Sequence, residues 1–301
     1  MKYIIATEDK NYWRWQMLVQ INNFKNLGID DDLIYIVGFK NKPSKEILSI
    51  QAGTNVRIVL IEDTRKKVVY APSIRPHIFE KFFSKYPHEG KCYMYLDPDV
   101  LFTKKIKFGS ILKNSTIYLS DTRSYLGIDY IKSKSPELVG NMASIVGIDP
   151  KEILKNDKEA GGAQYIFKNI DYKFWEKVEI DCVNLYEYMN DTKRIYMPHH
   201  PIQSWTADMW AVLWNLWSLQ RETKIVKLLD FAWATDGYSH LANVNILHNA
   251  GIVDQKDCFN KGHYLNASPF FRDYSKMNKI MASYRYVEEI INTQEKYGTL
   301  I

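Results

Sequence analysis

The chain has 301 residues, of which 46% are hydrophobic, 14% aromatic and 25% charged. That is ordinary globular composition and excludes disordered, collagen-like and coiled-coil readings. Forty basic against 35 acidic residues leave a net charge of +5, compatible with a polyanionic partner but far short of a dedicated nucleic-acid binder. The three cysteines, Cys92, Cys182 and Cys258, are too widely spaced for a disulfide framework or a cysteine zinc site. No apolar run approaches the ~20 residues of a membrane helix, and the N-terminus turns acidic too soon for a signal peptide. A cytoplasmic location with no membrane partner is the expectation.

The first third alternates strands and helices. Lys2–Thr7 is a short β-branched run. Tyr12–Leu27 follows with Met17, Ile21 and Phe24 at helical spacing and a stop at Gly28. Leu33–Val37 predicts a second strand, Ser44–Ile50 a short helix, Asn55–Ile61 a third strand, and Ile74–Tyr86 a helix closed by Pro87. Cys92–Leu96 predicts the fourth strand. Near-continuous apolar strands separated by helices predict an α/β protein with a mostly parallel sheet and helices on both faces. Further on, Ser115–Ser120 and Gly161–Lys168 predict strands, while Ser135–Val146 predicts a helix ended by Gly147. Thr206–Leu219 predicts another helix, with Trp210, Trp214 and Trp217 on one face. Loop-rich sequence then carries His248-Asn249-Ala250-Gly251 and Lys261-Gly262-His263. No repeat or linker divides the chain, so one domain is expected.

In a sheet of this kind ligands gather beyond the carboxyl ends of the strands. Thr7, Glu8 and Asp9 follow the first strand; Glu62, Asp63 and Thr64 follow the third. Neither a dinucleotide-binding glycine motif nor a P-loop is present, which removes most of the weight from those enzyme classes. After the fourth strand comes Asp97-Pro98-Asp99, where two carboxylates at a strand end, outside the core, suit Mg²⁺ or Mn²⁺ completed by phosphate oxygens. The plain alternative is an Asp-Pro turn with solvated acids. His248 reads as a metal ligand or as an ordinary histidine. Gly161 and Gly162 permit close backbone approach beside Gln164, or simply form a turn. Asp208 either complements a helix N-terminus or serves a substrate hydroxyl as base. Trp205 is placed to stack on a sugar or base, Arg75 to meet a phosphate, and Lys261 to act as a phosphate charge or as a solvated lysine.

Together these residues resemble a known family. PSIRPHIF (72–79), LDPDVLF (96–102), GGAQYIFKN (161–169), WTADMW (205–210) and HNAG (248–251) occur in the order found in GT-A fold glycosyltransferases. The chain is similar in particular to the peptidyl-serine α-galactosyltransferase and hydroxyproline arabinosyltransferase group, whose relatives also occur in bacteriophages. The resemblance implies a single GT-A domain over 1–301, with a nucleotide-sugar-binding half (1–110) and an acceptor-binding half (111–301). It implies that Asp97, Asp99 and His248 hold Mn²⁺ or Mg²⁺, with Asp97 also on the donor ribose and Lys261 on the diphosphate of a UDP-sugar. Thr7, Arg75 and Gly251 would join the donor site, Trp205 and Gly162 the acceptor site, and Gln164 and Asp208 the reacting centre. Asp208 is the base if the enzyme inverts, and Gln164 the sugar-facing group if it retains. The expected acceptor is a 5-hydroxymethylpyrimidine in phage DNA, with protein serine or hydroxyproline hydroxyls second, and the expected place of action is then the host cytoplasm. Two rivals remain: a non-catalytic nucleotide-sugar or glycan-binding module, and a metal-dependent phosphohydrolase or nucleotidyltransferase, which usually needs more carboxylates around two metals.

Overall fold

The computed structural model describes residues 1–196, 201–252 and 255–301, for 192–196 the backbone alone. Its strands are β1 (Lys2–Glu8), β2 (Leu33–Phe39), β3 (Arg57–Glu62), β4 (Cys92–Tyr95) and β5 (Val100–Phe102). They continue with β6 (Ile117–Asp121), β7 (Gly161–Lys168), β8 (Thr223–Ile225), β9 (Phe231–Trp233) and β10 (Ile246–His248). The helices are α1 (Asn11–Asn26), α2 (Lys45–Gly53), α3 (Ile74–Lys85), α4 (Arg123–Leu126) and α5 (Ile128–Lys134). Then come α6 (Leu138–Val146), α7 (Pro150–Asn156), α8 (Tyr172–Tyr196), α9 (Ala207–Ser218) and α10 (Ser283–Tyr297). Packing divides the chain into two compact units. Met1–Glu62, Leu96–Phe108 and Leu228–Ile301 form the first; Asp63–Tyr95 and Gly109–Lys227 form the second.

In the first unit β3, β2 and β1 pair in parallel, with Ile5 opposite Tyr35 and Ile36 opposite Val59. Ile4, Ile5, Ile34 and Ile36 are buried, so these strands bury both faces, as a parallel sheet covered by helices requires. The helix after β2 starts where the hydroxyl of Ser44 accepts from the Ile47 amide at 3.1 Å, an N-cap. Tyr3 meets Phe24 edge-on at 5.1 Å, and Phe24 lies 4.8 Å from Phe102, which carries the core from β1 through α1 to β5. Burying a phenylalanine contributes about 1.5–3 kcal/mol before entropic costs. The C-terminal helix α10 packs on α1 through Trp15 and Tyr286 and through a hydrogen bond from Asn22 to buried Glu289 at 2.7 Å. A second sheet, β5-β10-β9, joins Leu96–Phe108 to the chain after residue 228.

The second unit orders its strands β4-β7-β6-β8, with β7 antiparallel to both neighbours. Alternation of strands and helices predicted parallel pairing, but the four-helix connection between β6 and β7 returns the chain in the opposite sense. The register slips between Leu119 and Ser120, with Ala163 at φ 60°, a bulge that re-aims the side chains following it. Helix α8 was not expected from sequence. It buries Phe174, Trp175, Val178, Cys182, Leu185 and Met189, and Trp175 stands 4.5 Å from Phe79 and 5.4 Å from Phe167. The helix predicted from Ser135 instead begins at Leu138, with α5 closed before it; Gly147 ends it at φ 75°, as expected. All eight residues of β7 are buried, as are Trp210, Trp214 and Trp217, the predicted face of α9. The three cysteines are free thiols. Among the described residues no helix is long and apolar enough to cross a membrane.

Candidate metal and donor site

The two aspartates stand in a turn closed by a hydrogen bond from the Val100 amide to the Asp97 carbonyl at 3.2 Å. The chain then enters β5, whose partner is β10, running antiparallel with His248 opposite Val100. That register carries His248 to the turn, and the Asn249 amide fastens it by donating to the Asp99 carbonyl at 3.0 Å. His248 is therefore the last residue of a strand and not a loop residue. Its Nε2 lies 3.3 Å from Asp99 Oδ1 and 3.7 Å from Asp97 Oδ2, and one ligand atom from each of the three residues falls within 4.8 Å of the others. The indole of Trp233 stacks on the imidazole at 5.9 Å and 14°. Two carboxylate oxygens and one imidazole nitrogen converging here are a donor set suited to Mn²⁺ or Mg²⁺ with its remaining positions given to phosphate or water. The chemistry of the group fits the residues present.

Asp99 is only 2% exposed, against the expectation of a site outside the core. Burial pushes its carboxyl up, but the Lys261 ammonium and the His248 ring outweigh that and hold it well below the ordinary carboxylate range. Lys261 ion-pairs with Asp99 Oδ2. Burial works against the ammonium while the Asp99 charge favours it more strongly, so Lys261 stays cationic beyond its usual range. It opens a short 3₁₀ turn, Lys261–Tyr264, held by the Asn260 side chain, which accepts from the Gly262 amide at 2.8 Å.

Sequence reasoning missed the layer beneath the turn. Helix α1 presents Gln16, Gln20 and Asn23 at i, i+4 and i+7, all buried. Gln20 Nε2 donates to the carbonyls of Asp97 at 2.9 Å and Val100 at 2.8 Å, and the hydroxyl of Tyr35 donates to Gln20 Oε1. Asn23 pairs with the backbone of Phe102 as another strand would, accepting at 2.9 Å and donating at 3.1 Å. A buried ridge of uncharged polar residues at helical spacing was the available signal. Tyr12, Tyr35 and Tyr286 also surround the site; burial is the first cause of their raised hydroxyl pKa values, and the Asp99 charge adds to it. Thr7, the next-to-last residue of β1, is buried, and its hydroxyl has no hydrogen-bond partner among the described residues. Gly251 adopts φ 91°, a left-handed conformation that favours glycine. Asp9 is engaged locally, accepting from the Ser44 amide at 2.7 Å and pairing with Arg14 at 3.0 Å.

The second unit holds the remaining predicted residues. Asp208, in the first turn of α9, ion-pairs with Arg75 at the start of α3, and its Oδ1 lies 2.7 Å from the Tyr70 hydroxyl. That hydroxyl also reaches the Trp205 carbonyl at 2.5 Å, while the Trp205 side chain stays 60% exposed. The bulge in β7 sets Gln164 against Ser120, whose Oγ donates to Gln164 Oε1 at 2.6 Å; Gln164 is wholly buried. A Cβ on Gly161 would lie 2.5 Å from Leu119 Cβ and 2.7 Å from the Ser120 carbonyl, so packing alone requires glycine there; one on Gly162 would lie 2.6 Å from Met209 Cε, the end of a flexible side chain that can shift. Asp63 forms a two-pronged pair with Arg65 at 2.9 and 3.0 Å. His77, beside Arg75 on α3, sits between Glu179 at 2.9 Å and Thr64 Oγ1 at 3.2 Å.

No family model matches the chain, and no curated protein matches it in sequence. Solved structures do match in three dimensions. WbbM, a bifunctional glycosyltransferase, superposes over 99% of this chain and 51% of its own, with a TM-score of 0.51 at 11% identity. The chain thus spans about half the length of that protein. The galactosyltransferase LgtC, solved with donor and acceptor sugar analogs, covers 99% of this chain and 100% of its own at a TM-score of 0.48 and 13% identity. Mouse xyloside xylosyltransferase 1 covers 82% and 97% at 0.41 and 9%. The likeness to WbbM shows a common fold, and the chain has the α/β GT-A architecture.

Proposed function

We propose that the chain is a divalent-cation-dependent glycosyltransferase moving a sugar from a UDP-sugar to an acceptor hydroxyl. The observation that carries this reading is the convergence of Asp97, Asp99 and His248 on a fold shared with a glycosyltransferase. A bound cation supplies Lewis-acid neutralisation of the charge that develops on the departing diphosphate. The protein's own part is to hold the two carboxylates in fixed separation through Gln20, to orient the imidazole between Trp233 and Asp99, and to present the Lys261 ammonium to phosphate oxygens. Thr7 and Gly251 complete the donor contacts in this proposal, and Trp205 and Gly162 contact the acceptor.

Transfer with retention is the stereochemistry we assign. A general base needs an oxygen open to the acceptor hydroxyl, whereas both oxygens of Asp208 face donors, Arg75 and Tyr70. Gln164 is the group we assign to the sugar, a role that requires its burial and its bond to Ser120 to open when the donor binds. For the acceptor we propose a 5-hydroxymethylpyrimidine in DNA, supported by the net charge of +5 and by exposed Trp205 as a stacking surface for an extruded base. The resemblance to the serine and hydroxyproline transferase group and its phage relatives, stated from the five motifs, gives protein hydroxyls as the competing outcome.

The test incubates the protein with Mn²⁺ and a panel of UDP-sugars, offering 5-hydroxymethylcytosine DNA, unmodified DNA and a serine-rich peptide. Mass spectrometry reads which acceptor gains a sugar, and NMR coupling reads the anomer. Metal-dependent transfer to the modified DNA alone is expected. Transfer to peptide alone overturns the acceptor assignment, and no transfer or UDP-sugar hydrolysis under any condition overturns the enzyme.

A further inference from the structure

We infer that this site takes its cation and its nucleoside diphosphate together, as one complex, and that Lys261 enforces this by standing as an internal counter-ion on Asp99. The inference rests on the donor-site reading above. It starts from Asp99, whose side chain is 3% exposed and whose two oxygens are both engaged, Oδ1 towards His248 at 3.3 Å and Oδ2 with Lys261. A cation coordinated by Asp97, Asp99 and His248 must take a position beside that ammonium. Like charges in a poorly solvated pocket repel strongly, so a free divalent ion binds only by driving Lys261 away.

Once displaced, Lys261 loses its partner. It is one residue into a short turn anchored by Asn260, and Tyr12, a neighbour on α1, offers only a neutral hydroxyl whose ionisation is suppressed. A half-buried ammonium left without an anion is costly. A diphosphate removes that cost, because its oxygens accept from Lys261 while others complete the metal's coordination. The free ion thus meets a competitor, and the metal–diphosphate complex meets a ligand. A lysine that served only as a diphosphate contact would leave binding of the ion alone unchanged, which makes the two roles separable.

The experiment titrates Mn²⁺ by electron paramagnetic resonance of the free aquo ion, with and without UDP, for the wild type, Lys261→Met and Lys261→Arg. In the wild type UDP is expected to tighten Mn²⁺ binding at least tenfold. Lys261→Met should bind Mn²⁺ alone at least tenfold more tightly than the wild type and show a smaller UDP enhancement, and Lys261→Arg should restore the wild-type pattern. Circular dichroism checks folding, and Lys261→Gln carries the same expectation should the methionine variant not fold. Binding of Mn²⁺ alone that is equal or weaker in the neutral variants overturns the inference. The transferase reading fails separately: metal–UDP binding with these signatures but no sugar transfer would remove the enzyme and leave the counter-ion standing.

Discussion

Replacing Gln20 with leucine tests whether the buried polar ridge of α1 positions the metal turn. The side chain is wholly buried and bonds to three groups: the carbonyls of Asp97 and Val100, and the hydroxyl of Tyr35. Leucine is close in volume, so little cavity energy is involved. The Asp97 carbonyl keeps the Val100 amide as a partner, but the fully enclosed Tyr35 hydroxyl has no other acceptor among the described residues. At about 1 kcal/mol for a net hydrogen bond and about 1–3 kcal/mol for an orphaned buried hydroxyl, Gln20→Leu should lose about 2–4 kcal/mol. Tyr35→Phe leaves the carbonyl contacts intact and should cost about 1–2 kcal/mol. The double variant should lose less than the sum, because the two side chains form one network. Urea unfolding followed by circular dichroism measures all three, and Mn²⁺–UDP titration should show weakened affinity for Gln20→Leu. Stability within about 0.5 kcal/mol of wild type together with unaltered metal–nucleotide affinity would refute the reasoning.

Three further outcomes follow from the site. The carboxyl of Asp99 is held below its ordinary value, so its contribution to stability is present above the unfolded-chain value of about 4 and is lost as pH falls towards the folded value; the stability gap between wild type and Asp99→Asn should be level from pH 8 to 5 and close below pH 4, and a gap that widens in acid contradicts the pairing with Lys261. Gly161→Ala would press a Cβ against Leu119 Cβ and, at 2.7 Å, the Ser120 carbonyl, costing about 1–3 kcal/mol in thermal or urea unfolding; a neutral result would contradict the close packing of β7 against β6. Asp208→Asn should lower kcat by less than about 100-fold with the anomer unchanged, since loss of a true general base costs about 10²–10⁴-fold; a larger loss with a basic limb missing from the pH–rate profile would restore Asp208 as base.

Strands and helices of the first hundred residues were legible because their signals are local. The apolar runs at Lys2–Glu8 and Leu33–Phe39 have the period of strands buried on both faces, and Ser44 and Gly28 punctuate the helices by their own chemistry. Helix α8 was not, although its buried positions repeat at helical spacing. Polar residues at Glu176, Lys177, Glu179 and Asp181 interrupt the apolar pattern, and the aromatic cluster that stabilises the helix draws on Phe79, distant in sequence, as well as on Phe167 of β7. Antiparallel β7 was hidden for the same reason: strand direction depends on how the chain returns, which no residue in GGAQYIFK encodes.

The candidate site divides along a similar line. Asp97 and Asp99 were visible as a pair because two carboxylates two residues apart at a strand end state their chemistry locally. His248 was visible only as a type, since a histidine 149 residues beyond Asp99 becomes a ligand through a strand register that the sequence does not print. The burial of Asp99 was invisible altogether. It comes from what closes over the turn, namely α1 with its glutamines below and the Lys261 turn above. A carboxylate so enclosed needs a cation at all times, and this is why Lys261 is found paired with Asp99.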